Sequence, residues 1–188
     1  MDNLYQIAHD VAKKVHGAQK RKYDGAPYIS HLEAVSRILA LQGYDEPVIQ
    51  AAALLHDTVE DTDVTIQDLV ETLGANVAEL VYGLTDAEKG NRKTRVLQST
   101  WRLSHAPLDA KLIKCADIID NSRTILDVDR HFAPKFLVEK RLILERMATV
   151  ESDLTDLPLY EEALYVTGYP PLLNKKQASA LAGRVTAA

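Results

Sequence analysis

His56, Asp57, Glu60 and Asp61 follow directly on the apolar run Ala51-Ala52-Ala53-Leu54-Leu55. An imidazole and three carboxylates serve no packing purpose at the end of such a run. If the stretch is one helix, successive side chains turn by about 100°. His56, Glu60, Asp57 and Asp61 then share one side, and Thr58 and Val59 face away. His56 and Asp57 could straddle a single cation, with Glu60 and Asp61 a turn further on to handle water and protons. The plainer alternative is a helix end that becomes solvated, its acids forming surface. Acids are disfavoured at the negative end of a helix dipole, however, unless a cation balances them.

A hydrolytic metal site built without cysteine needs imidazole and carboxylate ligands, and open positions for water and substrate. Cys115 is the single cysteine, which excludes an intramolecular disulfide or a cysteine-cluster zinc site and suits a reducing cytoplasm. His31 is a third candidate ligand; its plain alternative is a surface histidine in a helix's first turn. The fourth is Asp117, deep in the apolar helical stretch around Cys115 and Ile118, where a carboxylate is costly to bury unless paired or metal-bound. Asn121 and Thr124 follow at i+4 and i+7 on the same face, with Lys114 at i−3. Amide, hydroxyl and ammonium donors beside a metal face are what a phosphorylated substrate needs. An Asp117–Lys114 pair on a solvated stripe is the competing interpretation. Residues 11–30 hold five Lys or Arg against one acid. Arg21 offers a plane that can stack on a base and Lys22 a point charge for phosphate, unless the run is simply a solvated loop.

Helical periodicity dominates the elements that must position these groups, and no convincing strand alternation appears. A first helix is predicted over 3–17, then a loop over 18–29 broken by Gly25 and Pro27. Ser30-His31-Leu32-Glu33 reads as a capping box opening a helix to about Gln42. Asp45-Glu46-Pro47 opens the helix that carries the His-Asp pair, and Thr65-Ile66-Gln67-Asp68 starts another that Gly74 closes. Further helices are expected near 75–83, 91–104, 108–126 and 133–151, with two short ones after that. The expectation is an all-α domain of eight to ten helices over 1–151, with 152–188 a helical extension packed on it or trailing from it.

The net charge of −5 disfavours general nucleic-acid or membrane binding. There is no apolar N-terminal signal and no run of 18 apolar residues, so a cytoplasmic protein is expected. Oligomeric state is left open.

These pieces, in this order, resemble the HD-domain metal-dependent phosphohydrolases, and most closely the single-domain small alarmone hydrolases of the RelA/SpoT superfamily. The resemblance covers roughly residues 4–150. Its carriers are His16, Gln19, Arg21 and Lys22; Gly25-Ala26-Pro27-Tyr28-Ile29-Ser30-His31; the segment from Ala52 to Thr62; Leu80-Val81-Tyr82-Gly83-Leu84-Thr85; and Lys114-Cys115-Ala116-Asp117 with Asn121. The resemblance implies that His31, His56, Asp57 and Asp117 bind one divalent cation, usually Mn²⁺. It implies that Glu60 and Asp61 serve the catalytic water and proton transfer. Arg21 is implied at the base, Lys22 at the nucleotide end, and Asn121 and Thr124 at the sugar and phosphate region. The implied reaction removes pyrophosphate from the 3′ position of (p)ppGpp, leaving GDP or GTP. Zn²⁺ could bind such a site tightly and still work poorly, since it prefers fewer ligands.

Several positions depart from the family pattern. Leu32 stands where Pro is common, Cys115 where Leu is common, and the Lys22–Pro27 loop differs in length from that of the long bifunctional enzymes. Ile118-Ile119-Asp120 replaces a more basic segment, which implies fewer phosphate contacts. Two other functions fit the same scaffold: a phosphohydrolase for another nucleotide, such as an NADPH 2′-phosphatase, and a catalytically silent nucleotide-binding protein.

Overall fold

In the computed structural model, which describes residues 2–22, 24–86 and 90–168, helices begin and end largely where the sequence punctuates them. The chain order is α1 (Asp2–Val15), α2 (Ile29–Leu41), α3 (Pro47–Leu55), the single turn α4 (Thr58–Asp61), α5 (Ile66–Leu73) and α6 (Ala75–Leu84). There follow α7 (Arg92–His105), α8 (Leu108–Val128), α9 (Ala133–Val150), a 3₁₀ turn at Ser152–Asp156 and α10 (Pro158–Gly168). Among the described residues there is no strand beyond an isolated bridge between Lys20 and Pro27. The domain is all-α, as expected, with ten α-helices among the described residues.

Pro47 opens α3, where its missing N–H is no loss. Thr65 and Asp68 form the reciprocal capping box of α5: the Thr65 hydroxyl accepts from the Asp68 amide, and the Asp68 carboxylate accepts from the Thr65 amide. Gly74 joins α5 to α6 at φ +90°, a conformation that side-chain-bearing residues rarely adopt. At α2 the outcome differs from the capping-box expectation. The helix begins two residues earlier, at Ile29, and Ser30 donates to the Pro27 carbonyl at 2.7 Å instead of capping. Glu33 meets His9 of α1 at 2.9 Å. Pro27 and Tyr28 already turn the chain into helix, so position 30 lies inside the first turn.

α3 is buried on every side from Ile49 to Leu55. Its three alanines, Ala51 to Ala53, let α1, α2 and α6 approach closely, and Leu54 and Leu55 are fully buried among them. Truncating either leucine to alanine would cost about 2–5 kcal/mol. Gln50, also buried, accepts from the Ser36 hydroxyl at 2.5 Å and donates to the Tyr44 carbonyl at 2.6 Å, so its burial leaves no orphaned amide. α8 is the second axis, with twelve buried positions including Ile113, Ile118 and Ile119. α9 and α10 pack on α8 through Leu144, Met147, Leu159 and Ala163. Residues 169–188, the far end of the expected extension, lie outside the described residues. No described helix is long and apolar enough to cross a membrane.

Candidate metal centre and adjoining cavity

α3 and α4 are not one helix. The chain breaks at His56 and Asp57: His56 ends α3, and Asp57, at φ −100° and ψ −1°, precedes the single turn of α4. This corrects the continuous helix assumed from the sequence. The break matters because a regular helix would hold adjacent side chains about 100° apart. Here Asp57 Oδ2 comes within 3.1 Å of His56 Nε2.

His31 in α2, His56 and Asp57 at the break, and Asp117 in α8 meet in one place. His31 Nε2 lies 3.4 Å from Asp117 Oδ1 and 3.8 Å from Asp57 Oδ2, and His56 Nε2 lies 3.8 Å from Asp117 Oδ1. One ligand-type atom from each of His31, His56 and Asp117 fits within 4.8 Å of the others. The outer nitrogens of both rings are engaged. His56 Nδ1 donates to the Ala53 carbonyl at 2.8 Å, and His31 Nδ1 donates to Asp120 Oδ2 at 2.7 Å. A carbonyl and a carboxylate can only accept, so each ring carries its proton on Nδ1. Both Nε2 atoms are buried and lack a hydrogen-bond partner among the described residues. Two imidazole lone pairs aimed at one point, with carboxylates around it, fit a divalent cation.

Without a cation, the carboxylates draw protons toward the same ring nitrogens that would hold it. Burial alone would lower both imidazoles, yet Asp57 and Asp117 push His56 up to about 10, and Asp117 and Asp120 push His31 up. Burial works to raise the Asp57 and Asp117 carboxyls too, but His56 beside Asp57 and Lys114 beside Asp117 hold both well below the usual carboxylate range. Lys114 Nζ sits 2.7 Å from Asp117 Oδ2, and both side chains are buried, so this ion pair is not the solvated stripe weighed as an alternative. Asn121 donates to Asp117 Oδ1 at 2.5 Å.

Glu60 and Asp61 part company. Glu60 faces a cavity of about 300 Å³ and accepts from the Asp86 amide at 3.2 Å. Desolvation, with Asp86 and Asp57 nearby, pushes its carboxyl up to about 7. Asp61 is exposed and accepts from Gln19 Nε2 at 2.8 Å; Gln19 in turn meets His16 Nδ1 at 2.6 Å. Asp61 is not among the residues that line the cavity.

Arg21 and Lys22 lie on a loop pinched by Arg21 N to Ala26 O and Tyr28 N to Gln19 O. Lys22 lines the cavity. Arg21 turns instead toward α8, where Nη2 donates to Asp120 Oδ2 at 2.7 Å and to Thr124 Oγ1 at 3.0 Å. Thr124 and Asn121 therefore sit on the α8 face between the metal cluster and Arg21.

Sequence reasoning overlooked several groups. Tyr28 donates to Asp57 Oδ2 at 2.5 Å and stacks on His16, with ring centroids 5.1 Å apart. Burial and Asp57 raise its phenol strongly, which keeps it a donor. Arg92, Arg95, Phe132, Phe136, Glu139 and Lys140 complete the cavity wall from α7, α9 and the residue before α9. A basic cluster on α7 and alternating charges on α9 are legible in sequence. Which of their faces meet is not.

Comparison with known proteins places the chain. A family model described as HD domain matches residues 8–131. A zebrafish (Danio rerio) protein named guanosine-3′,5′-bis(diphosphate) 3′-pyrophosphohydrolase MESH1 is 40% identical over 124 residues, covering 65% of this chain and 68% of the relative. The human MESH1 protein is 40% identical over 120 residues, covering 63% and 67%. A guanosine-3′,5′-bis(diphosphate) 3′-pyrophosphohydrolase of Aquifex aeolicus is 42% identical over 123 residues, 64% of this chain and 17% of that longer protein. Among solved structures, a metazoan ortholog of SpoT, described as hydrolysing ppGpp, superposes with a TM-score of 0.80 at 25% identity, covering 92% of this chain and 98% of the other. With the family model spanning well over half of its length, the chain belongs to the HD-domain family, in the branch that holds the MESH1 proteins.

Proposed function

We propose that this protein is a Mn²⁺-dependent hydrolase that converts ppGpp and pppGpp to GDP and GTP with release of pyrophosphate. The observation that carries the reading is the pair of buried Nε2 atoms of His31 and His56, without a hydrogen-bond partner among the described residues and ringed by the Asp57 and Asp117 carboxylates. The names of the MESH1 relatives and of the SpoT ortholog support the substrate. His31, His56, Asp57 and Asp117 would hold the cation, and a mixed set of imidazole and carboxylate donors suits Mn²⁺. Bound there, the ion would supply Lewis acidity, making a water more acidic and offsetting charge on a phosphoryl oxygen.

The protein's own groups do the rest. Glu60, poised near neutral pH, takes a proton from the attacking water. Asp61, steadied by Gln19, orients that water as a second acceptor. The water oxygen bonds to the phosphorus attached to the ribose 3′ oxygen. The bond from that phosphorus to the 3′ oxygen breaks, pyrophosphate departs, and the 3′ oxygen leaves as a hydroxyl by taking the proton that Glu60 accepted. Lys22 meets phosphate charge at the cavity, while Asn121 and Thr124 bind the ribose-phosphate region and Arg21 stacks on guanine. Residues 152–168 extend the same domain in this reading, and a lone buried Cys115 fits a reducing cytoplasm.

The test is a product assay on Mn²⁺-loaded protein offered ppGpp, pppGpp and NADPH in parallel. Pyrophosphate release with a clear preference for the guanosine nucleotides is expected. Free phosphate from NADPH at higher kcat/KM would move the protein to a 2′-phosphatase.

A further inference from the structure

Asp120 stands where the family resemblance implies a more basic segment, and its place in the structure makes it more than a lost phosphate contact. One oxygen, Oδ2, accepts from His31 Nδ1 at 2.7 Å and from Arg21 Nη2 at 2.7 Å. Its second oxygen is in neither contact. A carboxylate oxygen has two lone pairs, and both are used here. Arg21 is fixed from two further sides, by Thr124 Oγ1 at 3.0 Å and by Asp24 Oδ2 at 3.7 Å from its Nε. His31 is 2% exposed, and its far nitrogen points at Asp117 and Asp57.

We propose that Asp120 is a positioning residue that couples the metal end of the site to its nucleotide end. The inference rests on the assignment of His31 as a ligand and of Arg21 as the base-contacting group. A carboxylate on the outer nitrogen of a ligating histidine fixes its tautomer and ring plane and raises its basicity; losing one usually weakens metal affinity about 10–100-fold. The same oxygen sets where the Arg21 guanidinium waits. When Arg21 shifts to meet a base, the charge on Oδ2 is shared differently with His31. Metal and nucleotide thus feel each other through one atom, and the coupling is reciprocal.

Metal-free protein is titrated with Mn²⁺ alone, with the free ion read by electron paramagnetic resonance, and KM for ppGpp is measured separately. Melting temperatures of the metal-free variants are read first. Asp120→Asn keeps the side chain's shape and carries the comparison if Asp120→Ala does not fold. Asp120→Asn is expected to raise the Mn²⁺ Kd roughly 10–100-fold and to raise KM, with a melting temperature close to that of the wild type. Thr124→Val removes Arg21's other anchor and the hydroxyl's bond to the Asp120 backbone carbonyl but leaves the Asp120 carboxylate on His31, so it should raise KM and leave the Mn²⁺ Kd alone. Arg21→Ala should move the Mn²⁺ Kd about threefold or more in the wild-type background and not in an Asp120→Asn background. Wild-type Mn²⁺ affinity in Asp120→Asn overturns this inference while the metal site stands. A wild-type protein that takes up no Mn²⁺ overturns the metal assignment and this inference with it.

Discussion

The cluster of His31, His56, Asp57 and Asp117 and the cavity wall of Lys22, Glu60, Arg92 and Arg95 are neighbours made of different material. The cluster stands on the buried ends and faces of α2, α3 and α8, and its side chains are 21% exposed at most. Each ring is tethered by its outer nitrogen, and Asp57 and Asp117 are held by Tyr28, Lys114 and Asn121. The wall is carried by a loop, the one-turn α4 and the exposed sides of α7 and α9. Two of its charged groups are paired with each other, Arg92 with Glu139 through 2.8 and 2.5 Å contacts. A preassembled donor set favours tight, geometry-specific binding of a small cation. Exposed, self-paired charges can exchange partners for an incoming phosphate at small cost.

The sharpest way to break that contrast is to remove a cluster carboxylate. Asp57→Ala should abolish Mn²⁺ binding by calorimetric titration and reduce turnover to background while the helical circular dichroism survives. Asp117→Ala should do the same and also destabilise the fold by about 3–5 kcal/mol in urea, because it strips a buried partner from Lys114. Retained metal and turnover in Asp57→Ala would remove that residue from the donor set.

At the wall the effect should be large on chemistry and small on binding. Glu60→Gln is expected to bind Mn²⁺ and ppGpp nearly as the wild type does, with kcat lower by roughly 10²–10⁴. Desolvation and the nearby acids push the Glu60 carboxyl up to about 7 before a cation binds, and a neighbouring cation lowers a carboxyl pKa. Glu60 must be ionised to accept a proton, so kcat/KM of the Mn²⁺-loaded wild type should rise with pH and level off below about 7. The limb should vanish in Glu60→Gln; its survival there would assign it to another group.

Smaller still, Arg21→Ala should raise KM for ppGpp about tenfold and change kcat little, as expected where a contact is equally strong in ground and transition states. An equal loss in kcat would place Arg21 with the chemistry. The mildest change lies far from both regions: Thr65→Ala removes the α5 cap and should cost about 1 kcal/mol in chemical denaturation. Any change in Mn²⁺ affinity from that variant would show that the cluster is less insulated than its burial implies.

Much of the helical framework was legible because the punctuation is local: Pro47, the Thr65–Asp68 box and Gly74 act within a turn of themselves. What resisted reading depends on distant partners. No local signal marks the break at His56–Asp57, since Ala51 to Asp61 has neither Gly nor Pro; packing of His56 and Asp57 toward Asp117, 60 positions on, accompanies it. Ser30-x-x-Glu33 met the pattern for a cap, but Pro27 and Tyr28 had already started the helix. Tyr28 read as part of a loop until its hydroxyl was seen on Asp57. Asp120, read as a subtraction from the phosphate contacts, instead engages both His31 and Arg21.

α8 carries Lys114, Asp117, Asn121 and Thr124 on a single stiff rod, and a rod sets a scale of length. Asp117 and Thr124 are separated by seven residues, about 10 Å of helical rise. A ligand reaching from the Asp117 end of α8 to Thr124 would span roughly that distance, with its charged end and its sugar or base end held apart by a covalent frame of matching reach. Free pyrophosphate is too short to bridge the two marks. Product from one end of such a ligand therefore keeps only one set of contacts after cleavage, and the fixed span along α8 favours its departure.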